Sequence, residues 1–456
     1  MTLLRSRDLK ICSGPLLYNM FRFAVPIILS GILQTLFNTV DAAVVGRFGC
    51  ATALASVGAT ASLTHLLINV FLGLSTGAGV ATAQAMGAED RASVARTIRT
   101  SVTASLVSGV LCAALGAGCA KLFLGWMGCP ADVLPGAATY MRIYFVGMPA
   151  ILLFNFGSSI LRAMGDTKRP LYFLICAGAA NMILNLIFVI PLHMDVAGVA
   201  LATVLSQCAA AVLVLLCLRR LPADVRLDRL SADRQSLRKI LVIGVPAGVQ
   251  ASLFSLSNVV LQSSINSLGA TAVSASAAAT NIDNFVYIGM NGVSQAATTF
   301  AGQNYGAGSL QRVATTERDA FVLTTVIGAG LGLIECLLGR QLLGCFTTDE
   351  AVIAMGLGRL TLIGSTYYLF GMMEATSSVL RGMGRSFTPM AMTLLGVCGL
   401  RIAWALFVFP HLRELTFLFF CYPLSWGATL VVLLIYYGAV IRKERRHATA
   451  ALPAVS

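Results

Sequence analysis

The sequence has little charge: only 11% of its 456 residues are Asp, Glu, Lys or Arg. Soluble domains carry roughly 25%, because water-facing surfaces need charged side chains. The hydrophobic fraction is 57% and the mean hydropathy is +0.82. This composition excludes soluble enzymes and disordered scaffolds, and it predicts a membrane protein.

Several signatures of catalysis are missing too. The chain has no Gly-x-x-x-x-Gly-Lys-Ser/Thr loop, its twelve cysteines form no Cys-x-x-Cys pair, and it has only four histidines. Direct use of ATP and redox chemistry are therefore not indicated. A membrane enzyme would need acid–base, nucleophilic or metal residues converging near one face, and no such cluster is evident. We expect no enzymatic activity, and an ion gradient as the energy source for any uphill transport.

Twelve apolar runs are long enough to cross a bilayer as helices. They lie at about 17–45, 52–80, 94–118, 135–158, 168–190, 196–218, 240–266, 272–300, 314–338, 352–377, 386–409 and 414–441. Their length and composition favour helices over the short alternating strands of a barrel. The predicted fold class is therefore an all-α polytopic membrane protein with twelve transmembrane helices.

The positive charge is concentrated on one side of this predicted membrane. Of the 32 Lys and Arg residues, 24 fall in segments that the order of spans places on the same side. Basic residues collect in cytoplasmic loops, so both termini are predicted to be cytoplasmic, in a multi-pass protein of the cell (inner or plasma) membrane. Topology thus accounts for the net charge of +13. We expect membrane lipids as partners, and no nucleic acid.

The sequence repeats itself at a separation of 219 or 220 residues. The matched pairs are Val25-Pro26 with Val245-Pro246, Gln84-x-x-Gly87-Ala88 with Gln303-x-x-Gly306-Ala307, and Leu161-Arg162-x-Met164-Gly165 with Leu380-Arg381-x-Met383-Gly384. Two six-helix copies in the same orientation predict two pseudo-symmetric lobes. The predicted parts are an N-lobe at 1–218, a basic cytoplasmic linker at 219–239, a C-lobe at 240–441 and a cytoplasmic tail at 442–456.

A further stretch, from Leu36 to Asp41, follows Pro26 and leads to Gly46 and Gly49. Together with the repeated motifs, it resembles the multidrug and toxic compound extrusion (MATE) transporters over about residues 15–440. The resemblance implies two six-helix bundles forming a V. It also implies export of organic cations or amphipathic drugs in exchange for protons or sodium ions, with no cofactor beyond a coupling sodium ion. We expect a monomer.

Asp41 is the first candidate for ion coupling, because carboxylates inside a membrane are costly and are usually paired or functional. With Gln34 and Asn38 it forms a stripe on one face of the first span, and these two residues are predicted to line a substrate cavity. The resemblance makes the matching aspartate the coupling carboxylate. The alternative is a structural ion pair between Asp41 and Arg47.

Asn181 and Asn185 lie one helical turn apart on the fifth span. The resemblance places them, with Thr203 of the sixth span, around the same cavity as Asp41. Neutral oxygens beside a carboxylate suit sodium, so these four residues are a predicted sodium site. Interhelical hydrogen bonds without a ligand are the alternative. The family often has an acid where Asn185 stands, so the site carries one charge fewer here.

Asp283 is the ion-coupling candidate of the second lobe. It begins a stripe of every fourth residue on the eighth span, with Tyr287 and Asn291, while Asn258 and Gln262 belong to a polar stripe on the seventh span. Such stripes cannot face lipid cheaply. We therefore predict that Tyr287, Asn291, Asn258 and Gln262 line the substrate cavity.

Arg401, near the middle of the eleventh span, needs a counter-charge inside the membrane. Asp283 and Glu374 are the available partners, and whichever acid does not pair with it stays free to bind substrate or a proton. Glu374 stands one turn beyond the position of the family's usual acid, which is Phe370 here. Arg401 and Glu374 are assigned to the substrate cavity.

Pro26 and Pro246 each remove a helical hydrogen bond and permit a bend. Both are predicted hinges for the first helix of their lobe, and a fixed kink that aids packing is the alternative. The predicted function is secondary active multidrug efflux by alternating access. The alternative is a flippase or exporter of a lipid-linked saccharide, which should line its cavity with several basic residues for the diphosphate.

Overall fold

The computed structural model describes residues 11–48 and 53–450, without the side chains of 42, 53, 54, 61–63, 65–67 and 448–450. Within these ranges the chain is helical and contains no strand. The predicted all-α fold class is confirmed. Described residues of the predicted tail continue the last helix, and the tail from 451 onward lies outside the described part.

Among the described residues, seven helices precede the basic linker. They are α1 (Leu16–Phe48), α2 (Ala53–Gly87), α3 (Arg91–Trp126), α4 (Leu134–Val146), α5 (Met148–Ala163), α6 (Lys168–Val189) and α7 (Asp195–Arg219). The axes of α4 and α5 differ by 49° at Gly147. Pro149 has no N–H to continue the hydrogen bonds of α4, so the helix breaks there and one apolar run forms two arms.

In the described part of the chain, eight further helices follow, the first of which begins inside the predicted linker, with short π and 3₁₀ segments among them. The helices are α8 (Arg234–Asn266), α9 (Ala270–Gly306), α10 (Leu310–Gly344), α11 (Glu350–Gly382), α12 (Phe387–Thr393), α13 (Leu400–Ala403), α14 (Leu415–Phe419) and α15 (Cys421–Ala450). Two π-helical segments, Leu394–Gly399 and Trp404–Val408, flank α13. Such segments are rare and interrupt regular helical hydrogen bonding on both sides of Arg401.

Nine helical spans in the described part are long and apolar enough to cross a membrane, or ten if the bent α4–α5 pair is one span. The long helices α2 and α9 are outside this group. Each of the twelve predicted runs nevertheless coincides with a helical segment. The structure is thus consistent with twelve spans, and the exact count stays a prediction.

The chain forms two compact units. Among the described residues, unit 1 takes 29–248, and unit 2 takes 11–28 and 249–450. The chain therefore changes unit inside α1 and inside α8, two residues after Pro26 and two residues after Pro246. These unit boundaries differ from the lobe limits drawn from the sequence repeat, and those limits stay a prediction.

Local packing explains why each unit includes part of the other repeat's first helix. In unit 2, the ring of Phe23 from α1 meets Phe300 of α9 edge to face, with centroids 5.4 Å apart. In unit 1, α2 and the first half of α8 touch through their backbones: a Cβ on Gly73 would lie 2.1 Å from the Gly248 nitrogen. Side chains larger than hydrogen would separate these two helices.

The basic linker lies along α3 in unit 1. Arg99 pairs with Asp228 at 2.7 Å, and the Asp233 N–H donates to the Thr100 hydroxyl at 3.0 Å. Asp233 also accepts from the Ser236 N–H at 2.8 Å, near the start of α8. These contacts fix where α8 begins relative to α3.

Candidate functional site

Asp41 belongs to a chain of hydrogen bonds in unit 1 that joins α1, α6 and α7. Asn185 Nδ2 donates to Asp41 Oδ1 at 2.5 Å and to Asn181 Oδ1 at 3.3 Å. Asn181 Nδ2 donates to Thr203 Oγ1 at 3.4 Å, and the Thr203 hydroxyl donates to the Val199 carbonyl at 3.0 Å. The structure therefore brings together the four residues predicted as an ion site; their role stays a prediction.

Apolar contacts one turn away on either side hold this cluster in place. Before Asp41, the ring of Phe37 lies over Gly178 of α6, where a Cβ would be only 1.9 Å from a ring atom. Beyond Asp41, five buried valines pack together, namely Val44, Val45, Val189, Val196 and Val199. The cluster thus lies between two apolar layers, with Asn181 and Asn185 buried and Asp41 and Thr203 partly exposed.

The amide of Asn185 is not fully satisfied. The residue has no exposed surface, and its Oδ1 atom has no hydrogen-bond partner within the described residues. The alternative role for Asp41, pairing with Arg47, is not observed in the described part: the Arg47 guanidinium lies over the ring of Phe48, 6.0 Å from its centroid. Gln34 and Asn38 are exposed on α1, outside this cluster.

Asp283 of unit 2 is buried and pairs with Arg359 of α11 at 2.9 Å. Arg359 Nη1 also donates to the hydroxyls of Ser276 and Thr280, at 2.8 and 2.9 Å. The spacing of these two residues and Asp283 on α9 puts all three on one face. Asp283, one of the two acids considered as a partner for Arg401, therefore pairs with a different arginine.

Arg401 has no carboxylate within ion-pair distance among the described residues. Its guanidinium is buried and lies 3.7 Å from the ring centroid of Tyr422 and 5.7 Å from that of Trp426. Its Nε donates to Ser425 Oγ at 3.3 Å. One face of α15 therefore stabilises the cation through π electrons and a hydroxyl, in place of the expected counter-charge.

Glu374, the other acid considered for Arg401, pairs instead with Arg381 at 3.5 Å. Arg381 belongs to the repeated Leu-Arg-x-Met-Gly motif and also donates to Gln250 Oε1 at 3.5 Å. Because Arg381 stands seven residues after Glu374 on α11, the two lie on the same face two turns apart. The sequence contained this spacing, but the motif was not interpreted as an ion pair.

The polar stripe of α9 is divided between two faces. Asn291 Nδ2 donates to the Tyr287 hydroxyl at 3.3 Å, and Gln295 Nε2 donates to Asn291 Oδ1 at 2.6 Å, all on the more exposed side. Asp283 lies on the adjoining buried face, because a spacing of four drifts by roughly 40° per step around a helix of 3.6 residues per turn.

The predicted cavity residues of α8 also lie on an exposed face. Asn258 and Gln262 are both exposed, and Gln262 Nε2 donates to Asn266 Oδ1 at 2.9 Å. These side chains therefore form a polar strip among the exposed apolar residues of this part of α8. Their contact with a substrate stays a prediction.

Three buried acids of α10 were missed by the sequence analysis, and one of them, Asp319, pairs with its neighbour Arg318 at 3.0 Å. Glu317 and Glu335 are only 5% and 3% exposed, and both lie on α10. Their separation of eighteen residues is five helical turns, so they share one face. Both stand inside the apolar run 314–338, and that position alone was a signal for them.

The MatE family model matches this chain twice, at residues 26–187 and 246–407. The two matches begin 220 residues apart, in agreement with the repeat found in the sequence. Together they cover more than half of the chain.

Curated relatives align along most of the chain. The "Probable multidrug resistance protein YoeA" of Bacillus subtilis is 28% identical over 438 residues, which is 94% of each chain. The "Probable multidrug resistance protein NorM" of Thermotoga maritima is 24% identical, covering 84% of this chain and 83% of that protein. The "Multidrug export protein MepA" of Staphylococcus aureus is 21% identical, covering 83% and 84%.

Solved structures share the fold. A multidrug resistance MATE family transporter in an outward-facing conformation has a TM-score of 0.90 and 22% identity, covering 97% of this chain and 99% of that one. A MOP superfamily transporter from Pyrococcus furiosus, described as having a binding pocket of reverse polarity, has a TM-score of 0.88 and 22% identity, covering 96% and 99%.

Proposed function

Because the chain belongs to the MatE family, whose members are multi-pass membrane transporters and not enzymes, we propose that it exports organic cations or amphipathic drugs in exchange for protons or sodium ions. Transport proceeds by alternating access, and the ion and the drug have opposed affinities in the two states, since otherwise no coupling would follow. The proposal places a monomer in the plasma (inner) membrane, with both termini in the cytoplasm.

The cluster around Asp41 is the observation that carries this proposal. A carboxylate between two apolar layers, bonded to one neutral amide and to no basic residue in the described part, has an uncompensated charge. Binding a monovalent cation compensates that charge, and releasing the cation restores it. An exchanger needs such a group.

Sodium and the proton would use this cluster differently. Sodium takes several oxygen ligands. The Asp41 carboxylate, Asn181 Oδ1, Thr203 Oγ1 and the unpartnered Asn185 Oδ1 supply them, once the Asn185 amide turns to direct its oxygen towards Asp41. A proton needs only the carboxylate. Imposing each ion gradient separately distinguishes the two.

The exposed polar side chains of the substrate path complete the proposal. On α1 they are Gln34 and Asn38, on α8 Asn258 and Gln262, and on α9 Tyr287, with the partly buried Asn291 one turn away. Uncharged donors and acceptors on apolar helices suit amphipathic compounds of varied shape, because no single charge pattern is demanded. Glu374 and Arg401 lie deeper, already engaged with Arg381 and with the aromatic rings of α15.

Pro26 and Pro246 are proposed as hinges. Both are buried within helices, and the chain passes from one compact unit to the other two residues after each of them. A bend at the proline moves one half of the helix with its own unit and leaves the other half in place. The equivalent position in both repeats supports a shared mechanical role.

The test is efflux of a fluorescent organic cation from proteoliposomes under a sodium gradient or a pH gradient. Wild type should respond to one of them, and Asp41→Asn should lose the gradient-driven component. Asp132→Asn, the same change in an exposed loop, is the matched control and should transport normally. Normal gradient-driven efflux by a folded Asp41→Asn variant would remove Asp41 from the mechanism.

A second candidate is a flippase for a lipid-linked saccharide. One observation favours it: buried Arg401 has no carboxylate partner in the described part of the chain, so an anionic headgroup would supply a counter-charge that its aromatic neighbours do not. If wild type moves no organic cation under either gradient, translocation of a fluorescent lipid-linked saccharide becomes the deciding assay.

A further inference from the structure

Glu335 is a buried acid that the proposed function does not use. Neither of its carboxylate oxygens has a hydrogen-bond partner in the described part of the chain. It lies close enough to Asp283 and Arg359 for their charges to interact with its own. Its Oε2 atom faces α11 at Gly364, where a Cβ would be 3.1 Å away. The carboxyl group is thus enclosed between α10 and α11.

The charges around Glu335 do not balance. Asp283 and Arg359 pair with each other at 2.9 Å and cancel. The Tyr367 hydroxyl donates to the Asp283 backbone carbonyl, at 3.5 Å, and Cys336 contributes only a weakly polar thiol. Ionised Glu335 would therefore add one unpaired negative charge at a buried position, which is so costly that such groups are neutralised instead.

The other repeat shows that packing here does not require an acid. Motifs on both sides of this region match at a separation of 219, which aligns Glu335 with Gly116 and Gly364 with Phe145. In unit 1, a Cβ on Gly116 would lie 2.2 Å from the ring of Phe145. The same helix contact is thus filled there by an apolar ring from the opposite helix. Unit 2 therefore has a carboxyl group at a helix contact that an apolar ring fills in unit 1.

We propose that Glu335 is a proton-binding site of unit 2, neutral in the conformation described, beside the fixed Asp283–Arg359 pair. A proton fits better than a metal ion, because the described residues place no hydrogen-bonding group on either Glu335 oxygen, whereas a metal ion such as sodium needs several oxygen ligands. The Arg359 Nε–H is also buried without a hydrogen-bond partner in the described part of the chain. The inference extends the proposed exchange by naming a second proton-carrying group.

The direct test is infrared spectroscopy of the purified full-length protein in detergent, stepped through pH. A protonated carboxyl group has a C=O stretching band that the carboxylate lacks. Glu335→Gln should lose one such carboxyl group per chain at neutral pH. Glu350→Gln is the matched control, since that exposed acid pairs with Arg340 at 2.8 Å and should contribute no such band. An unchanged band in Glu335→Gln would overturn the proposal.

A second variant covers the case in which Glu335→Gln does not fold. Asp283→Asn frees Arg359 to neutralise Glu335, so the carboxyl band should disappear at a lower pH than in wild type. A titration that does not move would contradict the proposal, as would loss of the band on adding sodium at constant ionic strength. The infrared measurement needs no transport, so its outcome is independent of the efflux measured for the Asp41→Asn variant.

Discussion

Replacing Arg359 with Met tests how far the ion pair between α9 and α11 stabilises unit 2. The guanidinium bonds to Asp283, Ser276 and Thr280. It also lies over the ring of Phe419, 4.2 Å from the centroid. Methionine keeps the length of the apolar stem but makes none of these polar contacts. In Arg359→Met, Asp283 would remain buried without a counter-charge.

The magnitude follows from that unpaired acid. Removing one partner of a buried ion pair costs about 3–5 kcal/mol. If the contacts are lost before the unfolding transition state, the whole cost accelerates unfolding. Since 1.36 kcal/mol is a factor of ten in rate, the lower bound predicts unfolding roughly 100-fold faster than wild type.

Buried thiols provide the assay. Cys398 and Cys421 are buried in unit 2, and a thiol-reactive fluorophore labels them only when the unit opens. At constant temperature in detergent, the slow labelling phase that reports these buried thiols should be much faster in Arg359→Met than in wild type. The double variant Asp283→Leu with Arg359→Met removes both charges and should return close to the wild-type rate. A single variant that unfolds as slowly as wild type would refute the reasoning.

Three further predictions follow. Gly178→Ala places a methyl group where the Phe37 ring lies, so overpacking should lower the free energy of unfolding by about 1–3 kcal/mol and reduce gradient-driven efflux. Adding Phe37→Leu should restore both the stability and the efflux, which are measured by thermal unfolding and by the proteoliposome assay. Arg401→Met leaves no acid without its partner in the described part of the chain, so the labelling of the buried thiols should accelerate far less than it does in Arg359→Met. Hydrogen bonds from Ser93 hold the pKa of Asp90 below its ordinary 3.8, so the stabilisation by this N-cap is complete at neutral pH and is lost as pH falls through the folded value. Asp90→Ala should therefore have a lower thermal midpoint than wild type at pH 7, and equal midpoints at that pH would contradict the cap.

The sequence was informative where a periodic pattern carries the answer. Asn181 and Asn185 share a helical face by their spacing, and the structure places that face against Asp41. The partners of Arg401 were not predictable in this way. An aromatic face and an acid both stabilise a buried cation, and the residues that approach it, Tyr422 and Trp426, come from another helix.

Pairing among several buried charges is a second limit. The sequence showed Arg359 inside a span, as it did Arg401, but charge alone does not specify which arginine meets Asp283. Ser276 and Thr280 decide it, because they complete a ring of acceptors around one guanidinium. The unpartnered state of Glu335 needed three-dimensional neighbours for the same reason.

The change of unit inside α1 and α8 means that neither repeat is a self-sufficient folding body. A half-chain ending in the linker would include residues 11–28, whose packing partners lie in the second repeat, and would lack 240–248, which unit 1 requires. Each half should therefore fold poorly when expressed alone and recover when both are made together. The duplication resembles a fused pair of arm-exchanged protomers, in which the exchanged arm is the start of the first helix.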